Sequence, residues 1–86
     1  MNPEEVRTAR ALAATLTRAK EEAGLSFNDI AELSGLSRAH ITRVFYGTID
    51  VRLGDLRRIC EPLELRPDEV VRESLANATG KVTTGS

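Results

Sequence analysis

The segment from Ser26 to Gly47 is punctuated so closely that only two short helices fit into it. Ser26, with Asp29 three residues later, is a capping box that satisfies orphan backbone donors on both sides and opens a helix over about 27–34. Gly35 breaks that helix, Ser37 caps a second one running to Tyr46, and Gly47 stops it. Two helices joined by so tight a turn cross steeply. That crossing requires a small residue where they approach, a glycine in the turn and apolar residues beneath both. Ala31, Gly35, Leu36, Ile41 and Val44 supply these in one register, with Ile30 and Leu33 as further apolar positions of the first helix and Phe45 beside Val44 in the second.

The rest of the chain reads in the same way. Asn2 as N-cap, Pro3 at the first helical position and Glu5 three residues after the cap start a long helix. Val6, Ala9, Leu12, Ala13, Leu16, Ala19 and Ala23 recur along it at spacings of three and four, until Gly24 ends it. A loop over 48–52 leads to a fourth amphipathic helix marked by Leu53, Leu56, Ile59, Cys60 and Leu63, which Pro62 kinks or ends. Pro67, with Asp68 and Glu69 in the first turn, begins a fifth helix containing Val70, Val71 and Leu75. From Asn77 the apolar period is lost, which predicts a frayed or disordered tail. The expectation is an all-α domain of five helices over 2–76, followed by a tail over 77–86.

Composition narrows the possible functions. A chain of 86 residues builds one modest core and no large substrate pocket. Its 41% apolar and 3% aromatic content suits small aliphatic packing between helices. Cys60, the single cysteine, has no disulfide partner in the chain and with one histidine completes no zinc site, and its neighbours Leu56, Ile59 and Leu63 predict a core position. No nucleophile stands with a base and no glycine-rich phosphate loop occurs, so neither an enzyme nor a cofactor is expected. The apolar runs are too short to span a membrane, and Glu4 and Glu5 stand where a secretory signal would be basic, which predicts a cytoplasmic protein. The net charge of −1 conceals an uneven distribution: residues 37–58 carry Arg38, Arg43, Arg52, Arg57 and Arg58 against Asp50 and Asp55, a local surplus of three positive charges.

The stretch FNDIAELSGLSRAHITRVFY at 27–46 followed by Gly47, together with AKEEAGLS at 19–26 and LGDLRRICEPLEL at 53–65, resembles the helix-turn-helix family of phage repressors and Cro proteins and their bacterial relatives. The resemblance covers about 12–72. It implies a five-helix lambda-repressor-like DNA-binding domain, with helices two and three as the helix-turn-helix and helix three in the major groove of double-stranded DNA. The residues at the reading positions are Arg38, Ala39, Thr42 and Arg43. Arginine bonds guanine O6 and N7 bidentately, and Ala39 or the Thr42 methyl suits a thymine methyl. Asn28 and Ser37 stand at helix N-termini suited to phosphate, although Ser37 also serves as a plain cap. His40 is either a phosphate contact or an exposed side chain without a role. Arg52 is a further phosphate candidate, Tyr46 faces DNA or a protein partner, and Arg57 and Arg58 solvate the fourth helix.

Four departures from the family pattern stand out. Phe27 replaces the common glutamine at the start of helix two, and it either staples the turn to the core or presents an apolar surface. Lys20 and Phe45 replace a common Arg–Glu pair between helices one and three, so an apolar contact of Phe45 with the Lys20 stem is expected. Glu64 stands where a glycine usually follows helix four, and helix one starts about two turns early. The leading reading is a repressor binding an inverted-repeat operator as a homodimer, with helix five and the extra turns as the dimer contact. Alternatives are an antitoxin that autoregulates its promoter and an adaptor that has lost DNA binding, with a toxin or the transcription machinery as protein partner.

Overall fold

Caps and glycines set the helix ends as the punctuation predicts. The computed structural model describes residues 1–79 and contains α1 (Pro3–Ala23), α2 (Phe27–Ser34), α3 (Arg38–Phe45), α4 (Leu53–Cys60) and α5 (Pro67–Thr79), with no strand among the described residues. Both capping boxes form. Asn2 Oδ1 accepts from the Glu5 backbone at 2.8 Å while Glu5 accepts from the Asn2 backbone at 3.1 Å. The reciprocal pair at α2 measures 3.0 Å and 2.9 Å, and the Ser26 backbone N–H, aided by its side chain, holds the Asp29 carboxyl below its usual range.

One core joins all five helices through Leu12 and Leu16 of α1, Ile30 of α2, Ile41, Val44 and Phe45 of α3, Leu56, Ile59 and Cys60 of α4, and Val70 of α5. Burial pushes the Cys60 thiol up to about 11, so it stays protonated and packs as a small apolar side chain. Three expected core leucines instead face solvent: Leu33, Leu53 and Leu75. In helices of eight residues, Leu33 and Leu53 fall to the sides of the stripes formed by Ile30 with Ser34 and by Leu56 with Ile59 and Cys60. Leu63 is buried, but it lies in the turn beyond α4, which closes before Pro62.

α1 and α5 form the most extensive helix pairing. They run antiparallel, with Arg18 bonded to Glu73 at 2.9 Å and Ala19 and Glu22 near Arg66 and Glu69. The buried Ser74 hydroxyl donates to its own Val70 carbonyl at 2.7 Å, which lets the helices approach without an unpaired polar atom. α5 continues through Asn77 to Thr79, beyond the point at which the apolar pattern predicts a frayed tail. Small residues explain the extension, since Ala76 and Ala78 are half-buried and favour helix. The remaining predicted tail, 80–86, lies outside the described residues.

Two left-handed backbone positions close the chain around α3 and α4. Gly47 has φ 70°, and a Cβ there would stand 3.0 Å from the Arg10 Cα and 3.2 Å from the Ala9 carbonyl oxygen of α1. Both its conformation and its surroundings therefore require glycine. After α4, the Leu65 N–H bonds the Cys60 carbonyl at 3.0 Å and the Glu64 N–H bonds the Glu61 carbonyl at 3.1 Å, with Glu64 at φ 57°. This is the Schellman arrangement with glutamate at the position that favours glycine. Gly47→Ala should cost about 2–4 kcal/mol, from backbone strain plus overlap with α1, and lower the thermal midpoint by more than about 10 °C. Glu64→Gly should raise stability by about 0.5–1 kcal/mol in chemical denaturation, because it relieves the left-handed strain.

Candidate nucleic-acid interface

α3 is held at both ends. The Ser37 hydroxyl oxygen accepts from the His40 backbone N–H at 3.1 Å, so its side chain acts as the cap. At the other end the Gly47 N–H bonds the Val44 carbonyl, and both the N–H and the hydroxyl of Thr48 donate to the Arg43 carbonyl, each at 3.1 Å. Ile41, Val44 and Phe45 point inward, leaving Ala39, Thr42, Arg43 and Tyr46 on the outward side of the helix and Arg38 exposed in its first turn. Arg38, Ala39, Arg43 and Tyr46 are exposed and Thr42 is half-buried. The Thr42 hydroxyl donates to the Arg38 carbonyl at 2.9 Å, which leaves its methyl for an apolar contact. Neither Arg38 nor Arg43 forms an ion pair with any described residue.

His40 does not stand free between these residues. Its Nε2 lies 3.0 Å from Asp55 Oδ2 of α4, with the two side chains 29% and 24% exposed. A carboxylate only accepts, so Nε2 carries the proton and donates. This bond sets the first turn of α4, with exposed Arg52 as its N-cap, beside the N-terminal turn of α3. At the other end, the Phe27 and Tyr46 rings meet edge to face at 6.0 Å, which places the first turn of α2 and exposed Asn28 beside the C-terminal end of α3. The predicted residues thus form one surface, with α3 in the middle and the starts of α2 and α4 flanking it.

Three supporting residues escape sequence reasoning: Asp55, Thr48 and Ser34. Ser34 is buried in the turn between α2 and α3, where its oxygen accepts from the Leu36 N–H at 3.2 Å and its hydroxyl donates to the Ala31 carbonyl at 3.4 Å. A serine beside the turn glycine was the available signal, since serine readily bonds nearby backbone. Asp55 offered none, because its partner lies fifteen residues away.

The replaced ion pair has become an aromatic contact. Phe45 is 3% exposed and meets Phe27 edge to face, with ring centroids 5.5 Å apart. The Lys20 Nζ lies 4.7 Å from the Phe27 ring centroid, so the ammonium rests over Phe27. Phe27 is half-buried against the core and acts as the staple of the turn. Phe45→Ala should therefore cost about 3–5 kcal/mol in chemical denaturation, whereas Lys20→Met should change stability by less than about 1 kcal/mol.

Among the described residues no helix is long and apolar enough to cross a membrane, and no group of three or more His, Cys, Asp or Glu side chains is placed to hold a metal ion. No curated protein matches the chain. A family model described as a helix-turn-helix domain matches residues 11–74, from the third turn of α1 to the middle of α5. The match takes in α2, the Gly35 turn and α3 and covers most of the chain, so the chain belongs to the helix-turn-helix domain family.

Proposed function

We propose that this protein is a sequence-specific regulator of transcription, a repressor that binds an inverted-repeat operator in double-stranded DNA as a homodimer. The observation that carries this reading is the exposed, unpaired Arg38 in the first turn of α3 and Arg43 on its outward side, together with Ala39 and the Thr42 methyl. Arginine forks read guanine, and small apolar groups suit thymine methyls, so a half-site containing guanine is expected. Arg52 and Asn28, at the starts of α4 and α2, take phosphates on either side, where backbone N–H groups add to the attraction. Ser37 and His40 hold this surface in shape, one by capping α3 and the other by tying it to α4.

A second reading, an antitoxin that binds both its promoter and a toxin, is favoured by the 65% exposure of Tyr46 at the edge of Phe27. Co-purification with the product of a neighbouring gene, lost in Tyr46→Ala, separates it from a plain repressor. Selection of binding sites from a random DNA library with the purified protein tests the leading reading and reports motif, symmetry and half-site spacing together. Absence of binding at low salt, where phosphate contacts are strongest, would instead indicate an adaptor. On the selected site Arg43→Ala should cost about 1–3 kcal/mol and relax preference at one base pair, and Arg52→Ala should weaken binding evenly across sequences and flatten the salt dependence.

A further inference from the structure

The cleft between α1 and α5 holds a polar group that the chain itself does not satisfy. The hydroxyls of Thr8, Thr42, Thr48, Ser34 and Ser74 each donate to a backbone carbonyl. Thr15 is 7% exposed and lines this cleft of about 140 Å³, yet its hydroxyl has no hydrogen-bond partner among the described residues. A hydroxyl withdrawn from water without a partner is destabilising, so one beside an open cleft calls for a bound group. Charges are ordered along the same cleft. Arg18 bonds Glu73 across it at 2.9 Å. Glu22 lies four residues on from Arg18 and Glu69 four residues back from Glu73, so in this antiparallel pair the two acids stand opposite each other. Glu22 has no ion pair among the described residues, and Arg66 lies 4.0 Å from Glu69 while reaching Asp68 at 3.5 Å. One end of the cleft therefore offers donors, the Thr15 hydroxyl and the N–H groups of Arg18 that Glu73 does not use, and the other end offers two carboxylates. Ala19 and Val70 line the space between them.

We propose that this cleft binds a small zwitterion, an amino acid whose carboxylate accepts from the Thr15 hydroxyl and Arg18 and whose ammonium lies between Glu22 and Glu69. A simple anion would add to the repulsion between the facing acids, and a simple cation would place its charge beside the Arg18 guanidinium to reach Thr15. A ligand with both charges meets each end with the opposite sign. Spacing selects among amino acids. Arg18 and Glu22 are about one helical turn, roughly 6 Å, apart along α1. An α-amino acid carries both charged groups on one carbon and is too short, whereas about three methylenes between them match the span and rest on Ala19 and Val70. The volume agrees, since it equals that of about four or five waters at roughly 30 Å³ each. The rim is open, with the Arg18 and Glu73 side chains 62% and 46% exposed, so their ion pair is weak enough to share Arg18 with a ligand and the affinity is modest. The site uses none of the residues assigned to DNA above.

Calorimetric titration of the full chain with 4-aminobutanoate tests the proposal, with circular dichroism checking that each variant keeps its helicity. The wild type should bind saturably, with a dissociation constant of about 1 mM or tighter. Glycine, which lacks the spacing, and butylamine and butanoate, which each lack one charge, should bind at least about 10-fold more weakly. Thr15→Val should weaken 4-aminobutanoate by about 10-fold yet melt no lower than the wild type, because it removes a hydroxyl that makes no bond within the chain. Glu22→Gln, at an exposed position that leaves the core untouched, should also weaken it by about 10-fold. Absence of saturable binding at about 10 mM would overturn the site, as would Thr15→Val and Glu22→Gln variants that bind like the wild type. Glycine or either singly charged probe binding as tightly as 4-aminobutanoate would overturn the assigned ligand.

Discussion

The approach of the Gly47 backbone to that of α1 governs where α3 points. With the Arg10 Cα 3.0 Å and the Ala9 carbonyl 3.2 Å from where a Cβ would stand, the end of α3 is seated directly on the longest helix of the fold. α1 is in turn braced over its C-terminal half by the antiparallel α5. The other end of α3 is tied to α4 through His40 and Asp55, and Ile41, Val44 and Phe45 fill the space between. A helix of eight residues has little stability of its own in water, so these contacts hold it in shape. Once both ends and the inner side are fixed, the outward side is determined, and it carries the arginines.

The exchange of a common ion pair for the Phe27–Phe45 contact changes what that joint depends on. A buried ion pair must offset a desolvation cost of several kcal/mol per charge and tolerates no loss of one partner. The aromatic pair needs only contact, and the Lys20 ammonium lies over the Phe27 ring without being sealed away from water. A second consequence falls on the DNA side. In the proposed interface, Phe27 drawn to the core leaves Asn28 and the backbone N–H groups of the first turn of α2 to meet a phosphate, without the side-chain amide that a glutamine would bring.

Helix ends were legible in the sequence because caps and glycines act locally. The Asn2–Glu5 and Ser26–Asp29 boxes, the Ser37 cap and the Gly47 stop all stand where residue chemistry demands them. Sidedness was less legible in the short helices, since eight residues make little more than two turns and Leu33 and Leu53 fall beside the buried stripe. Contacts between distant residues were not legible at all. Nothing near His40 announces Asp55, and nothing near Lys20 announces that its ammonium lies over the Phe27 ring. The end of α5 was misjudged for a related reason, because alanines give no apolar period in a list of bulky residues yet pack well against another helix.

A net charge of −1 is compatible with binding DNA because charges act over short distances in salt water. The screening length is about 8 Å at physiological ionic strength, and the molecule is 39 Å long. Much of the acid is also engaged: Glu73 with Arg18, Asp68 and Glu69 with Arg66, Asp55 with His40, and Asp29 in its capping box. Arg38, Arg43 and Arg52 have no such partners among the described residues, so the potential beside α3 is set by them and not by the total. Three cations release few counterions from a duplex, so binding by one copy would be weak. In the proposed dimer a two-fold axis would double the phosphate contacts without adding positive charge elsewhere, so a small acidic chain would gain affinity with no change in its overall charge.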